Sequence, residues 1–197
     1  KGNIWLGTKK GISIINTETD AISKVSKISG LGGDKVYSLY NDSKNNMWIG
    51  VLGGNLTMYN GSSYQQFTSK EGVSEKFIIS IAEDGKGNLW FAAYSDGVLK
   101  YDGSNFKKYS LNEGLKSNSI HFITTDNNDN VWIGQSTGIE KLDVAKDQFT
   151  FYGRQQGFVG METNENAVAK DRKGNIWFGT LRGVVKFNPS KEEKNLF

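Results

Sequence analysis

Five tryptophans fix what this chain can fold into. Trp5, Trp48, Trp90, Trp132 and Trp177 are the only tryptophans in 197 residues, and they lie 43, 42, 42 and 45 positions apart. Each has an apolar residue before it (Ile4, Met47, Leu89, Val131, Ile176) and another after it (Leu6, Ile49, Phe91, Ile133, Phe178). Gly or Ala comes next: Gly7, Gly50, Ala92, Gly134, Gly179. Where the chain reaches back far enough, an aspartate stands six positions before the tryptophan, at Asp42, Asp84, Asp126 and Asp171. Short strand signals repeating every roughly 40 to 50 residues mark a β-propeller, an all-β fold with one four-stranded antiparallel blade per repeat. So regular a repeat favours one stacked array over two independent cores.

The repeat at 77–110 shows the blade most plainly. Its first strand, 77–82, is a nearly continuous apolar run, and Asp84-Gly85-Lys86-Gly87-Asn88 then makes a turn. Gly and Asn supply the positive φ that tight hairpins want, while the Asp carboxylate can accept from turn amides. Strands at 89–93, 98–101 and 106–110 follow, the last polar and alternating. We name the four A to D from the axis outward, with the buried run innermost and the charged strand at the outer edge. By the same alignment, 35–69 and 120–152 are complete blades. Residues 1–28 carry B, C and D (22–28) without A, and 166–188 carry A (166–170), B and C without D. Three complete blades and two partial ones, spanning 1–189, are expected to be a segment of a larger propeller of typically about 6 to 8 blades. Residues 190–197 then read as a charged linker to a further domain. A chain of this kind presents unpaired blade faces, so self-association is expected.

Composition narrows the partners. Basic side chains number 24 against 21 acidic ones, scattered along the chain, so there is no basic stripe of the sort that nucleic-acid binding needs. With no cysteine there is no disulfide framework and no thiolate metal site. No stretch approaches the roughly 20 apolar residues of a membrane span, and Lys1-Gly2-Asn3-Ile4-Trp5 opens inside a repeat without a signal-peptide pattern. Any targeting segment is therefore expected upstream.

The repeat resembles the two-component regulator propeller family. The matching stretches are 1–8 with Gly11-Ile12, and 171–180 with Gly183-Val184; Gly72-Val73, Gly114-Leu115 and Gly157-Phe158 match the family's Gly-Leu segment ahead of each strand A. Ala92-Ala93 departs from the family's Gly-Thr, as do Val51 and Gln135 at the Thr position, and 153–167 is a longer connector than its counterparts. The resemblance implies the periplasmic or extracellular sensor region of a bacterial membrane receptor, commonly a histidine kinase or hybrid kinase-regulator. It implies no catalysis in this chain, a membrane-anchored parent and receptor dimerisation.

The conspicuous residues each have a bland reading. The five tryptophans can stack on sugars or bases, but identical placement in every strand B favours packing between blades. The four aspartates favour turn capping over calcium: Asp126-Asn127-Asn128-Asp129-Asn130 alternates oxygen ligands, but Val131 stands where a calcium loop needs Gly and no later Glu completes it. His121 is the only histidine. Streptogramin lyases, a propeller class whose chemistry uses a histidine with acidic neighbours and a metal, are the enzyme alternative. Nothing beside His121 in the sequence supplies such a cluster, and no metal or cofactor is called for. Specificity on a rigid scaffold is carried by variable loops. The B to C turns and D to A connectors, which share one face, offer Lys9, Lys10, Tyr94, Asp96, Asn118, Gln135, Glu162, Asn164 and Arg182 for a polar ligand such as an oligosaccharide, or for a protein partner. The alternative is that these are simply solvated loops.

Overall fold

The computed structural model describes residues 2–25, 31, 33–53, 56–74, 76–156, 158 and 162–189. Its strands form five antiparallel sheets, each one repeat. Blade 1 is β1 (Asn3–Thr8), β2 (Gly11–Asn16) and β3 (Ile22–Val25). Blade 2 is β4 (Val36–Asn41), β5 (Met47–Val51), β6 (Leu56–Tyr59) and β7 (Tyr64–Phe67). Blade 3 is β8 (Ile78–Glu83), β9 (Leu89–Ala93), β10 (Gly97–Tyr101) and β11 (Phe106–Tyr109). Blade 4 is β12 (Ile120–Thr125), β13 (Val131–Gln135), β14 (Gly138–Asp143) and β15 (Gln148–Tyr152). Blade 5 is β16 (Thr163–Lys170), β17 (Ile176–Thr180) and β18 (Gly183–Phe187). Three four-stranded blades between two three-stranded ones is the all-β architecture expected. Strands β4, β8, β12 and β16 lie side by side along the axis.

The start of one strand departs from the sequence reading by more than one residue. Strand A of blade 5 starts at Thr163 rather than 166, because Thr163 pairs with Thr180 ahead of a bulge that runs to Val168. Asn164, expected in a connector, is therefore a strand residue. In blade 1, β3 is described to Val25, and the rest of the expected strand at 26–28 lies outside the described residues, as does the linker at 190–197.

The aspartate makes the A to B turn. In blade 2 the Asp42 carboxylate accepts from the amides of Lys44 and Asn46, from the Asn46 side chain and from the Trp48 indole N–H at 2.8 Å. The same set recurs at Asp84, Asp126 and Asp171, with indole distances of 3.0, 2.9 and 3.1 Å. The fourth turn residue takes positive φ in every copy and is one that tolerates it: Asn45, Gly87, Asp129, Gly174. One carboxylate thus fixes both the hairpin and the ring orientation of the tryptophan.

Apolar packing lies between blades. Trp48 is covered by Phe91 and Tyr101 of blade 3, at 5.4 and 5.5 Å between ring centroids, and Trp132 by Phe187 of blade 5 at 4.7 Å. Polar contacts also cross. Ser38 Oγ donates to the Ile78 carbonyl (2.7 Å) and Thr125 Oγ1 to the Glu83 carbonyl (2.7 Å). The connectors from D to A open on capping boxes: Thr68 with Glu71 and Ser110 with Glu113, each closed by a left-handed Gly72 or Gly114.

Candidate functional site

The B to C turns and D to A connectors are tied together on one face. Leu52 N donates to Lys35 O, Tyr94 N to Phe77 O and Leu181 N to Glu162 O. Between neighbouring blades, Gly11 N donates to Asp34 O and Gly97 N to Asn118 O. Every strand A carries a bulge as it leaves this face, between Val36 and Ser38, Ile78 and Ser80, Ile120 and Phe122, and Thr163 and Val168. A bulge re-aims the side chain of the extra residue. Tyr37 and His121 are two residues so placed.

Tyr37, Phe77 and Tyr94 form a ladder of rings, with centroids 4.4 Å apart between Tyr37 and Phe77 and 4.7 Å between Phe77 and Tyr94. The two outer rings remain open to solvent, Tyr37 at 44% and Tyr94 at 39% exposure. Tyr37 also lines a cavity of about 190 Å³ with Gly7, Val36, Ser38, Leu39 and Asn166, so β16 of blade 5 comes close to β4 of blade 2. Beside the ladder, Lys108 Nζ donates to Asp96 Oδ1 at 2.6 Å.

A second, polar group sits where blades 4 and 5 meet. His121 Nδ1 lies 2.6 Å from the Thr163 carbonyl, which can only accept, so that nitrogen carries the proton. Nε2 is then the acceptor for the Ser136 hydroxyl at 3.3 Å. Thr163 Oγ1 donates in turn to the Gln135 carbonyl. Gln135 Nε2 donates to Glu140 Oε2 (2.8 Å) and the Ser117 carbonyl, and the Lys116 amide also donates to Glu140. Burial raises the Glu140 carboxyl above the usual range, against the lowering effect of the Lys116 amide, the Gln135 side chain and the Lys116 charge.

Of the residues expected on this face, Lys9, Lys10, Glu162, Asn164 and Arg182 are exposed, and Asn118 is half-buried. Asn118 Oδ1 accepts from the Leu111 amide, so its side chain holds the connector. Gln135 corrects the sequence reading: it ends β13 rather than starting a loop, and it is fully buried. The structure brings Tyr94 together with Tyr37 of β4 and with Phe77, just ahead of β8. Their common feature, an aromatic next to the bulge or its connector, does not repeat between blades and so gave no periodic signal.

The two-component regulator propeller family matches the chain at residues 30–53 and 72–95. A comparison with curated protein sequences found no match. Among solved structures, the extracellular domain of a hybrid two-component system from B. thetaiotaomicron is 28% identical with a TM-score of 0.86, over 96% of this chain and 26% of that one. The extracellular domain of a one-component system from the same organism is 22% identical with a TM-score of 0.79, over 97% of this chain and 29% of that one. Virginiamycin B lyase from Staphylococcus aureus shares the fold at 17% identity and a TM-score of 0.73, over 95% of this chain and 67% of that one. The chain thus spans 26% to 29% of the length of the first two. No helix among the described residues is long and apolar enough to cross a membrane.

Proposed function

From the premise that this chain is built of two-component regulator propeller repeats, we propose that it is a sensing segment of a bacterial membrane receptor of the two-component class, held in the periplasm or outside the cell. It takes a polar ligand, of which an oligosaccharide is the leading class, on its loop face and does no chemistry of its own. The likeness to extracellular receptor domains supports the location. The observation that carries the site is the ladder of Tyr37, Phe77 and Tyr94, whose outer rings stay open to water although packed against an apolar neighbour. Tyrosines held this way offer a flat face and a hydroxyl at little entropic cost, which suits a ligand that is apolar on its faces and polar at its rim.

The likeness to the lyase is one of fold. His121 spends both ring nitrogens within the protein, on Thr163 and Ser136. A panel of oligosaccharides of defined linkage, titrated calorimetrically, tests the sensing proposal. Saturable binding by at least one of them is expected, with Tyr94→Ala weakening it roughly tenfold, which corresponds to about 1.4 kcal/mol. Affinity untouched by Tyr94→Ala would remove the ladder from the site. Absence of saturable binding across the panel would favour a propeller that engages a protein partner.

A further inference from the structure

Blade 4 departs from the repeat at two buried positions that touch each other. The last residue of strand B is Thr8, Val51, Ala93, Gln135 or Thr180 in the five blades. The strand C residue paired with the one after the tryptophan is Ser13, Thr57, Leu99, Glu140 or Val185. Blade 3 fills the two positions with Ala93 and Leu99, at most 1% exposed, so the fold has an apolar solution for this place. Blade 4 sets an amide and a carboxyl there instead, Gln135 fully buried and Glu140 2% exposed. A carboxylate taken out of water costs stability that a leucine does not. Unlike the turn aspartates, Glu140 closes no hairpin. Its Oε2 accepts from the Lys116 amide (3.0 Å) and from Gln135 Nε2 (2.8 Å), and Gln135 Nε2 also donates to the Ser117 carbonyl. Gln135 Oε1, by contrast, is buried and has no donor among the described residues.

These bonds hold the connector that borders the aromatic ladder. Asn118 follows Lys116 and Ser117, its carbonyl accepts from the Gly97 amide, and Gly97 closes the turn that begins at Tyr94. We infer that Gln135 and Glu140 form a proton-operated latch beneath this connector, which sets how firmly the Tyr94 turn is held. With Glu140 ionised, the carboxylate accepts both donors and the Gln135 amide ties Ser117 down. When the carboxylate takes a proton from solvent, its new O–H donates to Gln135 Oε1, the acceptor that lacks a partner. The amide turns over to receive it, and its N–H group leaves Ser117. Burial, which raises the Glu140 carboxyl above its usual range, brings that proton uptake closer to neutral pH. The charged group facing Glu140 is Lys116, whose Nζ lies 4.2 Å over the ring of Phe151, the cross-strand partner of Glu140. His121 is the other titratable side chain joined to the cluster, through Thr163, whose hydroxyl donates to the Gln135 carbonyl. That the latch governs ligand uptake rests on the ladder being the binding site; the latch itself does not.

The test is NMR of the full chain without ligand, from neutral pH down to about pH 4, across the range in which a raised glutamate titrates. The Gln135 side-chain amide and the Gly97 backbone amide are expected to shift together, with one midpoint above the ordinary 4.5 of a glutamate. Glu140→Gln keeps an oxygen that accepts from Lys116 and Gln135 but takes no proton, so it should remove this titration from both signals. Gln135→Ala combined with Glu140→Leu gives blade 4 the pair that blade 3 carries. That double variant is expected to fold and to leave the Gly97 signal without the titration, which keeps the test decisive if Glu140→Gln fails to fold. His121→Gln should leave the titration in place. A midpoint at or below 4.5, a Gly97 signal that does not follow Gln135, or a titration that survives Glu140→Gln overturns the latch. So does a titration lost in His121→Gln, because the histidine would then be the group that takes the proton. Absence of any binder in the oligosaccharide panel sinks the reading of the ladder and not the latch, whose signals are read without ligand.

Discussion

The Asp84 carboxylate is reached by the amides of Lys86 and Asn88, by the Asn88 side chain and by the indole N–H of the buried Trp90. Burial is the largest single influence on this carboxyl and raises it, but the hydrogen bonds from Trp90, Asn88 and the turn amides together outweigh it, and the net effect is a lowering. Asp171, with the same partners in blade 5, is held by Asn175 first and Trp177 second, from an ordinary 3.8 down to about 2. A carboxyl depressed by folding stabilises the fold above its unfolded value and loses that contribution as pH falls through the folded one. The Asp171 contribution is thus present at neutral pH and fades between 3.8 and about 2. Removing the carboxylate has different consequences at the two sites. Asp84→Ala leaves the Trp90 N–H buried with no acceptor, an expected loss of about 1–3 kcal/mol in urea denaturation. Asp171→Ala leaves a donor that water can reach, because Trp177 is partly exposed, so a clearly smaller loss is expected. Equal losses would mean that the aspartate serves the turn alone.

At the scale of strands, the residue two places after the tryptophan decides how closely blades approach. A Cβ on Gly50 would fall 2.5 Å from the Ile78 carbonyl of blade 3 and 2.3 Å from Ser38 Oγ. Gly50→Ala should therefore force blades 2 and 3 apart and cost about 1–3 kcal/mol as overpacking. A melting temperature equal to wild type would sink this account. Blade 3 carries Ala92 at the equivalent place, fully buried, opposite the small Ser80. Blade 4 instead has Gly134 opposite Phe122, whose ring fills the space a Cβ would take. Such features explain how much of the fold was legible in the sequence. Blade number, strand order and the turn aspartates are periodic, so each copy reinforced the others. The capping pairs Thr68 with Glu71 and Ser110 with Glu113 were equally open to reading, but recur only twice with those residue types. The indole bond to the aspartate was invisible because a spacing of six in sequence says nothing of contact across a hairpin. Gln135 misled because it occupies the family's Thr position at a strand end, where its burial depends on Glu140 and Ser117, residues distant in pattern. The aromatic ladder was hidden because Tyr37 lies in β4 of blade 2, whereas Phe77 and Tyr94 sit just outside β8 and β9 of blade 3.

The five blades form an array in which each packs mainly on its neighbours, so the stability of the chain is approximately a sum of blade terms and interface terms. The inner three blades have two interfaces each, whereas blades 1 and 5 have one, with Ile4, Leu6, Trp177 and Val184 left in water. Opening an end blade breaks a single interface; opening blade 3 breaks two. Hydrogen exchange should therefore be graded along the chain, slowest in β9 and β13 and fastest in β1, β2 and β18, rather than uniform as in a single cooperative unit. Uniform exchange at low concentration would show that the blades open together and that end exposure has no energetic consequence.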